Sequence, residues 1–124
     1  MARKTRKISP INYYHVMTRG IDKQIIFEED EDRRKYLQCV IDALNNYNIK
    51  LISYCLMLNH VHLIIYDPEN LKARFMQSLN CKYVWYFNTK YERIGPLFHD
   101  RYRSEPINDE RQLLAAYRYV MNNP

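Results

Sequence analysis

Two histidines separated by one residue, His60 and His62, lie inside the apolar run LNHVHLII at residues 58–65. Successive side chains of an extended chain alternate between faces. Both imidazoles therefore point the same way, with Cβ atoms roughly 7 Å apart, while Val61, Leu63 and Ile65 point the other way. Two imidazoles at that spacing can reach one divalent ion, and imidazole is the commonest metal ligand among side chains. The other reading is two histidines that are satisfied separately within a strand. No third histidine or carboxylate stands at a familiar zinc spacing, which argues against a closed structural zinc site. With only two glycines, Gly20 and Gly95, a turn-rich double-sheet barrel, another host for such a pair, is a poor match.

Residues 1–10 (MARKTRKISP) form a basic arm ending at Pro10. INYYHVMT, residues 11–18, is rich in β-formers and predicts a first strand, followed by a turn at Gly20. A helix is expected after the acidic stretch, capped by Asp30 or Glu31, with Tyr36, Val40, Ala43, Leu44 and Tyr47 on one face. The nearly continuous apolar run at residues 50–58 predicts a strand buried on both sides. A short turn at Leu58 and Asn59 makes HVHLIIY its hairpin partner. Leu71, Phe75, Leu79, Tyr83 and Tyr86 recur at helical spacing, with Pro68 near the helix start. FHDRYRSEPI reads as an irregular strand, and a last helix begins after Asn108 as cap. The order β-α-β-β-α-β-α predicts an α+β two-layer sandwich of ferredoxin-like type. Its antiparallel sheet carries the two crossover helices on one face and leaves the histidine face open.

The chain has 124 residues, enough for one domain, with a formal net charge of +5. A basic balance suits polyanions, and the twelve tyrosines among basic residues suit stacking on single-stranded bases. The three cysteines, Cys39, Cys55 and Cys81, are odd in number and widely spaced, so they read as reduced apolar residues of a cytoplasmic protein. No run approaches the roughly 18–20 apolar residues that span a membrane. In the last helix, periodicity groups Leu113, Tyr117, Val120 and Met121 on one stripe, which assigns Tyr117 to the core. Tyr119 falls on another face, one turn from Asn123. His15 in the first strand reads as structural.

LMLNHVHLII resembles the histidine strand of the single-tyrosine HUH transposases, the IS200-like family. Three further stretches are similar in the same order: YYHVMTRGIDKQIIF, GPLFHDRYRS and YVMNNP, the last most like the version in REP-associated tyrosine transposases. The resemblance implies a prokaryotic transposase domain over residues 11–124 that cleaves and rejoins single-stranded, hairpin-bearing DNA. It implies Tyr119 as nucleophile, forming a 5′-phosphotyrosine and freeing a 3′-OH. It implies His60 and His62 as ligands to Mg²⁺ or Mn²⁺. Asn123 stands where related enzymes carry a glutamine as third ligand. The expected DNA contacts are Arg3, Lys4, Arg6, Lys7, Arg19, Arg101, Tyr102 and Arg103. The family is also compatible with a homodimer. The rival class is a non-catalytic ferredoxin-like binder of single-stranded nucleic acid, which has no use for a metal-facing histidine pair.

Overall fold

The computed structural model describes residues 7–99 and 101–122. Four strands form one antiparallel sheet in the order β2-β3-β1-β4, where β1 is Tyr13–Arg19, β2 Lys50–Leu56, β3 His60–Tyr66 and β4 Arg103–Ile107. Helix α1, Asp30–Leu44, connects β1 to β2, and α2, Lys72–Lys90, connects β3 to β4. This is the expected ferredoxin-like split β-α-β. A third helix, α3, Glu110–Met121, packs across β2, β3 and β4 on the other face of the sheet.

The two faces have separate cores. Tyr14, Val16, Val61, Leu63 and Ile65 are buried with Tyr36, Val40 and Ala43 of α1 and Phe75, Leu79 and Tyr83 of α2. The opposite core is small: Ile64, Ile107 and Val120, with Tyr13, Cys55, Leu113 and Ala116 against them. Alternation along the strands sorts the residues between the two, as the sequence predicts.

Several local expectations are revised. Strand β2 lies at the sheet edge with a register shift between Leu51 and Ser53, and its residues alternate between buried and exposed. Continuous burial belongs to β3, which has a strand on each side and helices over both faces. Helix α1 is capped by Glu29, not Asp30 or Glu31, in a capping box with Asp32. Helix α3 is capped by Asp109, whose side chain accepts from the Gln112 N–H at 2.8 Å; Asn108 lies one residue earlier. Helix α2 begins four residues after Pro68. Asp67 prepares that start, its Oδ1 accepting from the Leu71 N–H and its Oδ2 from the Lys72 N–H. Tyr117 is not a core residue. The stripe of α3 that meets the sheet is Leu113, Ala116 and Val120, which rotates Tyr117 and Met121 to the surface.

Gly20 closes the end of β1 against the β2–β3 turn. Its N–H donates to the Asn59 carbonyl at 2.8 Å, and the next N–H, of Ile21, donates to the Leu97 carbonyl at 2.9 Å. A methyl group on Gly20 overlaps the Gln24 carbonyl oxygen. Gly20→Ala should therefore lower stability by about 1–3 kcal/mol, measured by urea denaturation. An unchanged midpoint would show that the turn relaxes freely.

Candidate active site

The site is built on β3 and β1 and roofed by α3. The antiparallel register sets Met17 opposite His62 and Arg19 opposite His60. His15, Met17 and Arg19 of β1 therefore share a face with the histidine pair. The imidazoles of His60 and His62 lie with ring centroids 5.0 Å apart and planes at 85°. Tyr119 comes down from α3 with its ring edge-on to His62, centroids 5.6 Å apart, and 6.0 Å from His15. The fold thus brings Tyr119 to a histidine pair that lies far from it in sequence.

Each histidine is held by its Nδ1. The Nδ1 of His60 contacts Asn59 Oδ1 at 2.8 Å, so that nitrogen carries the proton and Nε2 keeps a lone pair. The Nδ1 of His62 meets His15 Nε2 at 2.9 Å. Burial pushes the His62 pKa down, and the neighbouring His15 and His60 push it further, to about 4. Burial also lowers His60, and it lowers His15 against the opposing charge of Glu105. At neutral pH the pair is a set of neutral nitrogen donors.

A cavity of about 460 Å³ opens beside these rings, lined by His15, Met17, His62, Arg103, Glu105, Ala115, Ala116 and Tyr119. The two alanines leave space under the helix. A second cavity, about 350 Å³, adjoins His60 and is lined by Met17, Arg19, Gly20, Lys23 and Asn59. The site therefore has a cation at either end, Arg103 on one side and Arg19 with Lys23 on the other. A larger concavity of about 630 Å³ around Trp85 and Arg93 is lined by no histidine or carboxylate and lies away from this chemistry.

The remaining predicted residues divide. Arg19 and Arg103 are exposed at the cavities, and Arg103 lies 3.7 Å from Glu105. Arg101 and Tyr102 do not line either cavity; the Tyr102 ring packs against the main core. Lys7 is exposed, and two residues later Ser9 is buried, its hydroxyl donating to the Ile107 carbonyl. The arm thus joins the sheet at the Tyr13 and Ile107 end, opposite His60. Arg3, Lys4, Arg6 and Asn123 lie outside the described residues. Among the described residues no three His, Cys, Asp or Glu side chains gather to hold a metal, so the donors available there are the two imidazoles. His15, read from sequence as structural, is part of the site. Strand alternation puts it on the face of Met17 and Arg19, but only the β1–β3 register brings that face to His62.

Residues 10–123 match the family described as "Transposase IS200 like", and the chain belongs to that family. It is thus a protein of DNA transposition, with DNA nuclease or strand transferase activity in the general sense that the family carries. Two solved structures share its fold. A REP-associated tyrosine transposase bound to a REP hairpin matches with TM-score 0.80 at 10% identity, over 100% of this chain and 73% of its own. A protein provisionally assigned as a transposase, from Deinococcus radiodurans R1, matches with TM-score 0.60 at 17% identity, over 98% of this chain and 97% of its own. No curated protein sequence gives a match. Among the described residues no helix is long and apolar enough to cross a membrane.

The lowered histidine pKa values make stability depend on pH. An unfolded histidine binds a proton near its ordinary 6.5, whereas folded His62 resists protonation down to about 4. Unfolding therefore takes up protons below pH 6.5, and stability falls as pH drops from 6.5 towards 4. Asp32 adds a separate window. Burial alone raises its carboxyl, but hydrogen bonds from Lys90, Tyr91 and Tyr86 outweigh that and hold it at about 2, so its contribution is lost only below pH 3.8. Thermal midpoints should drop by on the order of 5 °C or more between pH 6.5 and 4. His62→Gln should flatten that slope and leave the lower window unchanged. A wild-type midpoint that is constant over the upper window would contradict the assignment.

Proposed function

We propose that the protein is a metal-assisted nuclease and strand transferase for single-stranded DNA, acting through a phosphotyrosine on Tyr119. The observation that carries this reading is the Tyr119 ring, edge-on to His62 on the sheet face that also holds His60. The phenol oxygen attacks the scissile phosphorus, the bond to the 3′ oxygen breaks, and the 3′-OH leaves with a proton. The phenolic proton passes to solvent. The ester keeps the bond energy, so a returning 3′-OH reverses the step and rejoins a strand.

The donor set fits a divalent ion. With both Nδ1 atoms taken by Asn59 and His15, the two Nε2 atoms are the nitrogens left to ligate. Two neutral imidazoles leave coordination positions for phosphate oxygens, which suits Mg²⁺ or Mn²⁺, with Asn123 as a proposed oxygen donor. When bound, such an ion withdraws charge from the phosphate. Arg19, Lys23 and Arg103 bind the flanking backbone, and the arm at residues 1–7 adds non-specific attraction. The substrate we propose is a hairpin-bearing strand. Its support is the family, together with the solved neighbour that was bound to a REP hairpin.

Tyr119→Phe should abolish the covalent protein–oligonucleotide adduct on a denaturing gel and spare DNA binding. Tyr117→Phe removes the same atom two residues away and should leave the adduct intact. An adduct that survives Tyr119→Phe excludes this nucleophile and, with it, the proposed chemistry. His60→Ala should slow Mn²⁺-dependent cleavage at least about 100-fold with the fold retained. Full activity in that variant would remove the metal from the scheme.

Deleting residues 1–7 takes away Arg3, Lys4, Arg6 and Lys7. The slope of log affinity against log salt for single-stranded DNA should then fall by about 3, at about 0.7 for each phosphate that the arm no longer neutralises. An unchanged slope would mean that the arm does not touch DNA.

A further inference from the structure

The chemistry above gives no direct role to His15, which lines the same cavity as His62 and Tyr119. It sits mid-strand on β1 between two polar neighbours: His62 of β3, and Glu105 of β4, which is its register partner. Its Nε2 lies 2.9 Å from His62 Nδ1, its ring centroid is 5.1 Å from that of His62, and it packs edge-to-face with Tyr119 at a centroid distance of 6.0 Å. It therefore touches both the buried member of the histidine pair and the tyrosine.

Between two neutral imidazoles the shared hydrogen bond holds one proton, which leaves two arrangements. If His15 donates from Nε2, the proton of His62 must sit on its own Nε2, and the nitrogen left over for a metal has no lone pair. If His62 donates from Nδ1, its Nε2 is unprotonated and free to ligate. His15 then carries its proton on Nδ1, away from His62. The carboxylate of Glu105, across the strand and lining the same cavity, favours a proton on that outer nitrogen. An apolar residue at position 15 would leave the Nδ1 of the 3%-exposed His62 without a partner.

We propose that His15 is a positioning residue: it accepts the Nδ1 proton of His62, so that His62 turns an unprotonated Nε2 to the Tyr119 side of the cavity. The consequence for metal affinity rests on the reading under Proposed function; the tautomer itself does not.

The test uses the full chain. In the metal-free protein at neutral pH, two-bond ¹H–¹⁵N correlation spectra should show His62 protonated on Nδ1. His15→Gln, whose amide oxygen accepts the same proton, should keep that tautomer, and His15→Phe should lose it. Titration with Mn²⁺ should show binding weakened about 10–100-fold in His15→Phe and within a few-fold of wild type in His15→Gln. A wild-type His62 with its proton on Nε2 overturns the proposal without any variant, which matters if His15→Phe does not fold. An unaltered tautomer in a folded His15→Phe overturns it as well. If His60→Ala binds Mn²⁺ as wild type does, the metal reading fails instead, and the spectra still decide the role of His15.

Discussion

Strand β3 has to be buried on both faces, and most of the architecture answers that requirement. Its core-facing residues Val61, Leu63 and Ile65 are fully covered by α1 and α2, each contributing about 1.5–3 kcal/mol through burial. The other face of the strand alternates His60, His62 and Ile64. Imidazoles cannot be covered by apolar side chains alone, because a buried nitrogen without a partner costs about 1–3 kcal/mol. The cover is therefore mixed. Val120 and Leu113 of α3 seal Ile64, and polar partners from Asn59 and β1 hold the histidines.

The face away from the site carries most of the fixation. Asp32, fully buried, takes hydrogen bonds from Tyr91 at 2.6 Å, Tyr86 at 2.7 Å and Lys90 at 2.9 Å, all from α2 and its C-terminal end. The same carboxylate accepts from the Glu28 and Glu29 N–H groups at the start of α1. One side chain thus caps one helix and clamps it to the next. At the other end of α2, Asp67 pairs with buried Lys72 at 3.8 Å, and the ammonium lies 3.8 Å from the centre of the Tyr14 ring. These clamps lie on the face of the sheet opposite the histidine pair, so substitutions among the histidines and Tyr119 leave them untouched.

The sequence makes the element order, the two helix faces and the sorting of residues along β3 legible, because each follows from local periodicity. It does not show what depends on neighbours. The apolar run of β2 looks doubly buried, yet strand order places it at an edge, and nothing within residues 50–58 encodes that order. Tyr117 fits an apolar stripe as well as Ala116 does. Only the line along which α3 meets Ile64 and Ile107 selects Ala116. His15 is the clearest case. Its face follows from alternation, but its role follows from a register that sets Met17 against His62, 45 residues further along the chain.

The electrostatics of the site follow from the same burial. On the proposed function this face meets DNA phosphates, and protonated histidines would add attraction there. Burial instead lowers all three, and the neighbouring His15 and His60 lower His62 further, so they stay neutral. What the site gives up in charge it keeps as lone pairs, since a protonated imidazole cannot ligate a metal or accept a hydrogen bond. The positive charge moves to the rim: Arg19 and Lys23 beyond His60, and Arg103 beyond His15. Long side chains of this kind hold their charged heads in water, where the charge carries no desolvation cost. Under the proposed function the two tasks, attracting a polyanion and offering lone pairs to a metal ion, thus fall to different residues: the rim cations and the buried imidazoles. The depth of the histidines on β3 decides which residues take which task.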